Sequence, residues 1–162
     1  MKKKVYIETS IVSYLTGKPS QNLLVAAWQS LTTEWWENRR DIFKLYTSEL
    51  VIEEASCGDM KAAQKRLKAL EGIPLLKLTD SAVELAKKLI ANGVLPSKAT
   101  DDAVHIALAT VHGIDYLLTW NCRHINNAEI KPLVRTMIVS EGYKCPEICT
   151  PQELFGGEPN EE

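Results

Sequence analysis

Short apolar runs and longer amphipathic stretches take turns along this chain. Residues 4–8 (Lys-Val-Tyr-Ile-Glu), 43–47 (Phe-Lys-Leu-Tyr-Thr), 75–79 (Leu-Leu-Lys-Leu-Thr) and 116–119 (Tyr-Leu-Leu-Thr) read as strands, with a shorter one near 147–149 (Glu-Ile-Cys). Residues 21–40 carry Leu24, Ala27, Trp28, Leu31 and Trp35 at three-to-four spacing, the mark of an amphipathic helix. Residues 61–70 form a highly charged amphipathic segment, expected to be a solvated surface helix. Ala82, Ala86, Leu89 and Ile90 make one stripe, closed by the stop signal Asn92-Gly93. Residues 103–111 are apolar nearly all round, which predicts a buried helix ended by His112-Gly113. Thr150-Pro151-Gln152-Glu153 has the form of a capping box with proline in the first helical position. Strands alternating with helices predict an α/β fold with a parallel sheet of about five strands, covered on both faces.

At 162 residues the chain suits one domain, taken as 1–155, with residues 156–162 expected to be a disordered tail. Lys2 to Lys4 ahead of an apolar run resemble the start of a signal peptide, but Glu8 interrupts the run and that reading fails. No apolar run approaches the roughly 18–20 residues needed to span a bilayer, so a cytoplasmic protein with no membrane contact is expected. The formal net charge is −2, which gives no overall basic field; a local basic patch stays open. Cys57, Cys122, Cys145 and Cys149 match no two-plus-two zinc spacing and read as reduced thiols.

Candidate chemistry lies in the acids. In a doubly covered parallel sheet, ligands bind beyond the carboxyl ends of the strands, where the strand order reverses. Glu8 ends the first strand there. Asn121 follows the fourth strand, Asp101-Asp102 opens the buried helix, and Glu53-Glu54 sits on a helical segment after the second strand. Each has a plain alternative. Asp101 and Asp102 complement a helix dipole behind Thr100 as N-cap, Asn121 suits a turn, and Glu53 and Glu54 suit a surface. Yet Asp102 shares the core-facing stripe of Ile106, and a carboxylate there needs its charge compensated. Hard divalent cations do this, with a preference for oxygen ligands.

The order Ile7-Glu8-Thr9-Ser10, "VIEEASCGD", "DDAVHIALATVHGIDYLLTWNCRHI" and "CPEICTPQEL" resembles PIN-domain proteins of the VapC toxin type, from residue 4 to about 155. The resemblance implies a three-layer α/β/α sandwich and Mg²⁺- or Mn²⁺-dependent hydrolysis of RNA phosphodiesters. It also implies a small antitoxin protein as partner. Carried over by position, it puts metal-site acids at Glu8, Glu54 and Asp102, with Asn121 in the fourth place. Glu8 stands where Asp is commoner, and Asn121 where an acid is often found. Glu8 and Asp102 are then the expected direct or water-mediated metal ligands, Glu54 a ligand or a base orienting water, and Asn121 a group positioning water or phosphate.

Around them, Thr9 and Ser10 offer hydroxyls or amides to a phosphate, or else cap a helix. Thr119 offers a hydrogen bond to an acid across the site, or is ordinary strand polarity. Arg123 and His124 suit phosphate contact or a solvated loop. Trp120 suits base stacking or packing, and His105 is expected to bond to its own first turn. Of Trp35-Trp36, one ring belongs to the core; the other meets a dimer mate or an antitoxin helix, or is partly buried. The readings left open beside a toxin nuclease are an RNA-processing nuclease, an inactive PIN-like scaffold and a receiver-type module. The last lacks a well-placed acceptor, since only Thr79-Asp80 offers one.

Overall fold

In the computed structural model, residues 1–156 are described; of the expected tail at 156–162, all but the first residue lies outside them. Five strands form one sheet: β1 (Lys4–Ile7), β2 (Lys44–Ser48), β3 (Leu75–Leu76), β4 (Tyr116–Leu118) and β5 (Glu147–Cys149). All pairings are parallel, in the order β3-β2-β1-β4-β5. The chain therefore builds outward from β1 on one side, then crosses to β4 on the other, and the order reverses between β1 and β4. Ligand clefts of doubly wound sheets form at that reversal.

The α-helices are α1 (Thr9–Thr16), α2 (Leu23–Asn38), α3 (Glu49–Ala55), α4 (Met60–Leu70), α5 (Asp80–Ala91), α6 (Thr100–Val111) and α7 (Lys131–Ser140). Helices α1 to α4 pack with one another, and so do α5 with α6 and α7, giving the α/β/α layering. β1 shows how one strand serves both layers. Val5, Tyr6 and Ile7 are fully buried, and alternation sends Tyr6 to one face, where it meets α6, and its neighbours to the other. Helix ends follow local chemistry. Gly93 and Gly113, at φ +71° and +68°, terminate α5 and α6 in the left-handed region that glycine enters at no steric cost. Thr150 and Glu153 form the capping box, on a 3₁₀ turn rather than an α-helix.

Several expectations change. The third strand ends at Leu76 because Thr79 is already the N-cap of α5, accepting from the Ala82 amide at 3.2 Å. Thr100 is not a cap; Ala99 takes that position without a side-chain bond, and the Thr100 hydroxyl donates to the Ser97 carbonyl. The early helix buries its stripe only from its middle onward, since Leu24 is 58% exposed and Ala27 is exposed. Trp35 is buried, donates its indole N–H to the Leu154 carbonyl at 3.1 Å and stacks on Phe43. Trp36 is half-buried under the Arg40 guanidinium, 4.3 Å from its ring centre. Among the described residues no helix is long and apolar enough to cross a membrane.

Candidate metal and active site

Glu8 is the first residue beyond β1 and the N-cap of α1. Its extended backbone (φ −83°, ψ 156°) turns the carboxylate back over the helix start, where Oε1 accepts from the Ser10 amide at 3.2 Å. The Ser10 hydroxyl donates to the same oxygen in a very short contact, and the Thr119 hydroxyl adds a bond at 2.6 Å. Thr119 comes directly after β4, so the strand-order reversal is what brings these two segments together. The Ser10 hydroxyl oxygen accepts from the Trp120 amide at 2.7 Å, locking α1 to the segment after β4. Glu8 is only 5% exposed, and a carboxylate so buried needs such donors.

Glu54 lies on α3, whose N-cap is Ser48 at the end of β2. Its Oε1 accepts from the Thr9 hydroxyl at 2.6 Å and meets His105 Nε2 at 2.7 Å. His105, on α6, is fully buried. Its Nδ1 lies 2.7 Å from the Tyr6 hydroxyl, which lies 2.8 Å from the Ser48 hydroxyl, and Ser48 in turn accepts from the Val51 amide. A continuous chain thus runs from the start of α3, through strand β1 and helix α6, back to a carboxylate on α3. The ligand atoms of Glu8, Glu54 and His105 lie within 4.8 Å of one another, a grouping able to hold a metal ion. All recorded bonds to the two carboxylates go to Oε1. Oε2 of each accepts none among the described residues and is available to a ligand.

Charge reinforces the arrangement. Burial favours the neutral form of Glu54, but the His105 bond, the imidazolium charge and the Thr9 bond outweigh it and hold the carboxyl below its ordinary value. Burial likewise disfavours a charged His105, yet the Glu54 bond and the charges of Glu8, Glu54 and Asp102 hold it above its ordinary value. Burial drives the Tyr6 hydroxyl far upward, so it remains a neutral donor.

Asp102 occupies the flank. Its Oδ1 accepts from the Asn121 side-chain amide at 3.0 Å, and its Oδ2 meets His124 Nδ1 at 2.9 Å. The Asn121 carbonyl oxygen accepts the backbone amides of Arg123 and His124, shaping the loop after β4. Glu53 and Asp101 face elsewhere. They line a cleft of about 590 Å³ with Leu50, Leu75 and Leu78, while Glu54 and Asp102 are not in its walls.

Helices α1, α3 and α6 and the segments after β1 and β4 therefore converge on one place, with Glu8, Glu54 and His105 at its centre. Asp102, Asn121 and His124 stand beside them. The hydroxyls of Thr9, Ser10 and Thr119 are all directed at carboxylates, and Arg123 is exposed. One expectation is corrected, and one open alternative is decided. His105 bonds to Glu54 and Tyr6, not to its own first turn. Trp120 is a packed ring, 7% exposed, stacked on Trp28 with its N–H on Thr32, which leaves no open face for a base. His105 carried one signal: it is the only ionisable side chain on an otherwise apolar stretch of 103–111.

Compared with known families, the chain matches the PIN domain over residues 5–129. That span holds every site residue named above. The chain belongs to the PIN domain family. No curated protein matches it at a significant level. PIN domains are generally nucleases that depend on a divalent metal. The two carboxylates suit a hard divalent cation such as Mn²⁺ or Mg²⁺, while His105, with one ring nitrogen on Glu54 and the other on Tyr6, orients Glu54.

Proposed function

We propose that this PIN domain is a metal-dependent endoribonuclease, the toxin of a toxin–antitoxin pair. The observation that carries the nuclease reading is the grouping of Glu8, Glu54 and His105 at the carboxyl end of β1, each held by buried partners. A divalent cation there would neutralise phosphate charge and activate water for attack on phosphorus. Glu8 would hold it directly, and Asp102 directly or through water. Glu54, kept anionic and fixed by His105 and Thr9, would ligate it or orient the attacking water. Asn121 would hold Asp102 in place and present its amide toward phosphate, and exposed Arg123 would meet the substrate backbone. Thr9, Ser10 and Thr119 would serve chiefly by aiming carboxylates; the Ser10 and Thr9 segment also lies at a helix start, where a phosphate oxygen is welcome.

The test is incubation of purified protein with total RNA in Mn²⁺, Mg²⁺ or EDTA, with the cut ends mapped. We expect cleavage in either metal and none in EDTA. Cleavage that persists in EDTA contradicts the metal reading, and absence of cleavage in every condition favours an inactive scaffold. The toxin part rests on the resemblance to the VapC type. Expression should arrest growth, and co-expression of a small partner protein should relieve it; a harmless active nuclease would point to RNA processing instead.

A further inference from the structure

The amino-terminal edge of the sheet, opposite the acids, carries the reverse charge. Lys2 and Lys3 precede β1, Lys44 opens β2, and Lys4 and Lys44 are register partners, with the Lys44 amide donating to the Lys3 carbonyl. A shallow depression of about 270 Å³ gathers Lys2, Arg40 and Lys44 in its walls. None of these three makes an ion pair with a carboxylate among the described residues. Arg40 instead sits over the half-exposed Trp36, 4.3 Å from the ring centre, and its side chain has no hydrogen-bond or ion-pair partner among the described residues. Of the nearby acids, Asp115 is already occupied by the Lys4 amide at 2.8 Å and by Lys3 at 3.9 Å, and Asp41 shares the depression.

A protein of net charge −2 thus concentrates unpaired cations at one end and carboxylates at the other. β1 separates them by about 13 Å, four residues of strand rise. Metal-free, the acidic end repels a polyphosphate, so attraction has to come from elsewhere. We propose that Lys2, Arg40 and Lys44 form a backbone-anchoring surface for single-stranded RNA. It grips phosphates at the amino edge of the sheet while the chain passes around the molecule to the acids. Such contacts carry no sequence information; they raise affinity and fix position. The proposal rests on RNA being the substrate.

The test uses the full chain in EDTA and long polyuridylate as probe, with the dissociation constant followed against salt. Replacing Lys2, Arg40 and Lys44 together by Gln should weaken binding at low salt by about tenfold or more and flatten the salt slope by about 2, since each phosphate contact to a single strand contributes about 0.7. A control replaces the exposed Lys61, Lys65 and Lys68 of α4 by Gln, the same charge change at another place, and should leave the slope nearly unchanged. With Mn²⁺ present, cleavage of a uridine dinucleotide, whose single phosphodiester cannot reach both ends, should be equal in all three proteins. Equal slopes for the two triple variants, with both folded by thermal melting, would overturn the anchoring surface. Failure of the wild type to cleave any RNA would instead overturn the nuclease reading, while the binding comparison in EDTA would still decide the patch.

Discussion

Two carboxylate–histidine pairs stand at the candidate site, Glu54 with His105 and Asp102 with His124. It is their histidines that differ in depth, since the Glu54 side chain, 30% exposed, is the more open of the two carboxylates. The bonds are nearly equal, 2.7 and 2.9 Å. His105 is fully buried and uses its second nitrogen on Tyr6, which continues to Ser48. The His124 side chain is 20% exposed, on a loop, beside an Asp102 side chain that is 19% exposed. In the interior, each broken bond leaves a polar group with no water to replace its partner. At the rim, water can substitute, and an ion pair is screened. The deep pair therefore presets Glu54 before any metal arrives, whereas the outer pair can re-form around a ligand.

The largest effect should come from the centre that both pairs serve. Glu8→Gln keeps the size of the side chain but removes the charge that a cation needs. Metal-dependent RNA cleavage should fall by more than the roughly 100-fold that marks changes behind the ligands; a loss of only a few-fold would displace Glu8 from the centre. Next comes Tyr6→Phe, which deletes one hydroxyl and leaves both His105 Nδ1 and Ser48 without their buried partner. It should cost about 1–3 kcal/mol in denaturant unfolding and lower Mn²⁺ affinity by about 10–100-fold. If Tyr6→Phe leaves both unchanged, the deep pair is not preset.

A pH series sharpens the same point with a smaller effect. His105 is held above its ordinary value of 6.5, so its contribution to stability is complete below that value and fades as pH rises through the folded-state value. Glu54 is held low, so its contribution is present above its ordinary value and is lost as pH falls through the lowered one. Metal-free wild type should thus lose stability on the alkaline side of 6.5, and His105→Gln should flatten that limb. An unchanged slope in the variant would assign the limb to another group. The smallest change is expected for His124→Gln, within about 1 kcal/mol of wild type. A cost matching that of Tyr6→Phe would erase the distinction between the two pairs.

What could be read from the chain follows the same division. Strand ends and the acids after them were legible because a short apolar run ending in Glu8, or Thr119-Trp120-Asn121, shows its position in one stretch of sequence. Asn92-Gly93 and His112-Gly113 were legible because helix ends are local events. The deep pair was not. His105 meets Glu54 and Tyr6 across 51 and 99 positions, and a histidine in an apolar helix looks the same whether it bonds locally or not. Two helices were also missed. In α1, eight residues give little more than two turns of pattern, and they follow a strand without a break. In α7, Pro132 near the start and scattered apolar residues hid the stripe of Val134 and Ile138.

Glu8 and Glu54, with Glu54 fixed by His105, are expected to form one metal site set before the ion binds. Calorimetric titration of Mn²⁺ into metal-free protein tests it most directly, with wild type set beside Glu54→Gln, a variant that keeps an oxygen acceptor for Thr9 and His105. A saturable site is expected in wild type, weakened tenfold or more in the variant, with a matching loss of Mn²⁺-induced thermal stabilisation. Equal binding and equal stabilisation in the two proteins would place the metal elsewhere and contradict it.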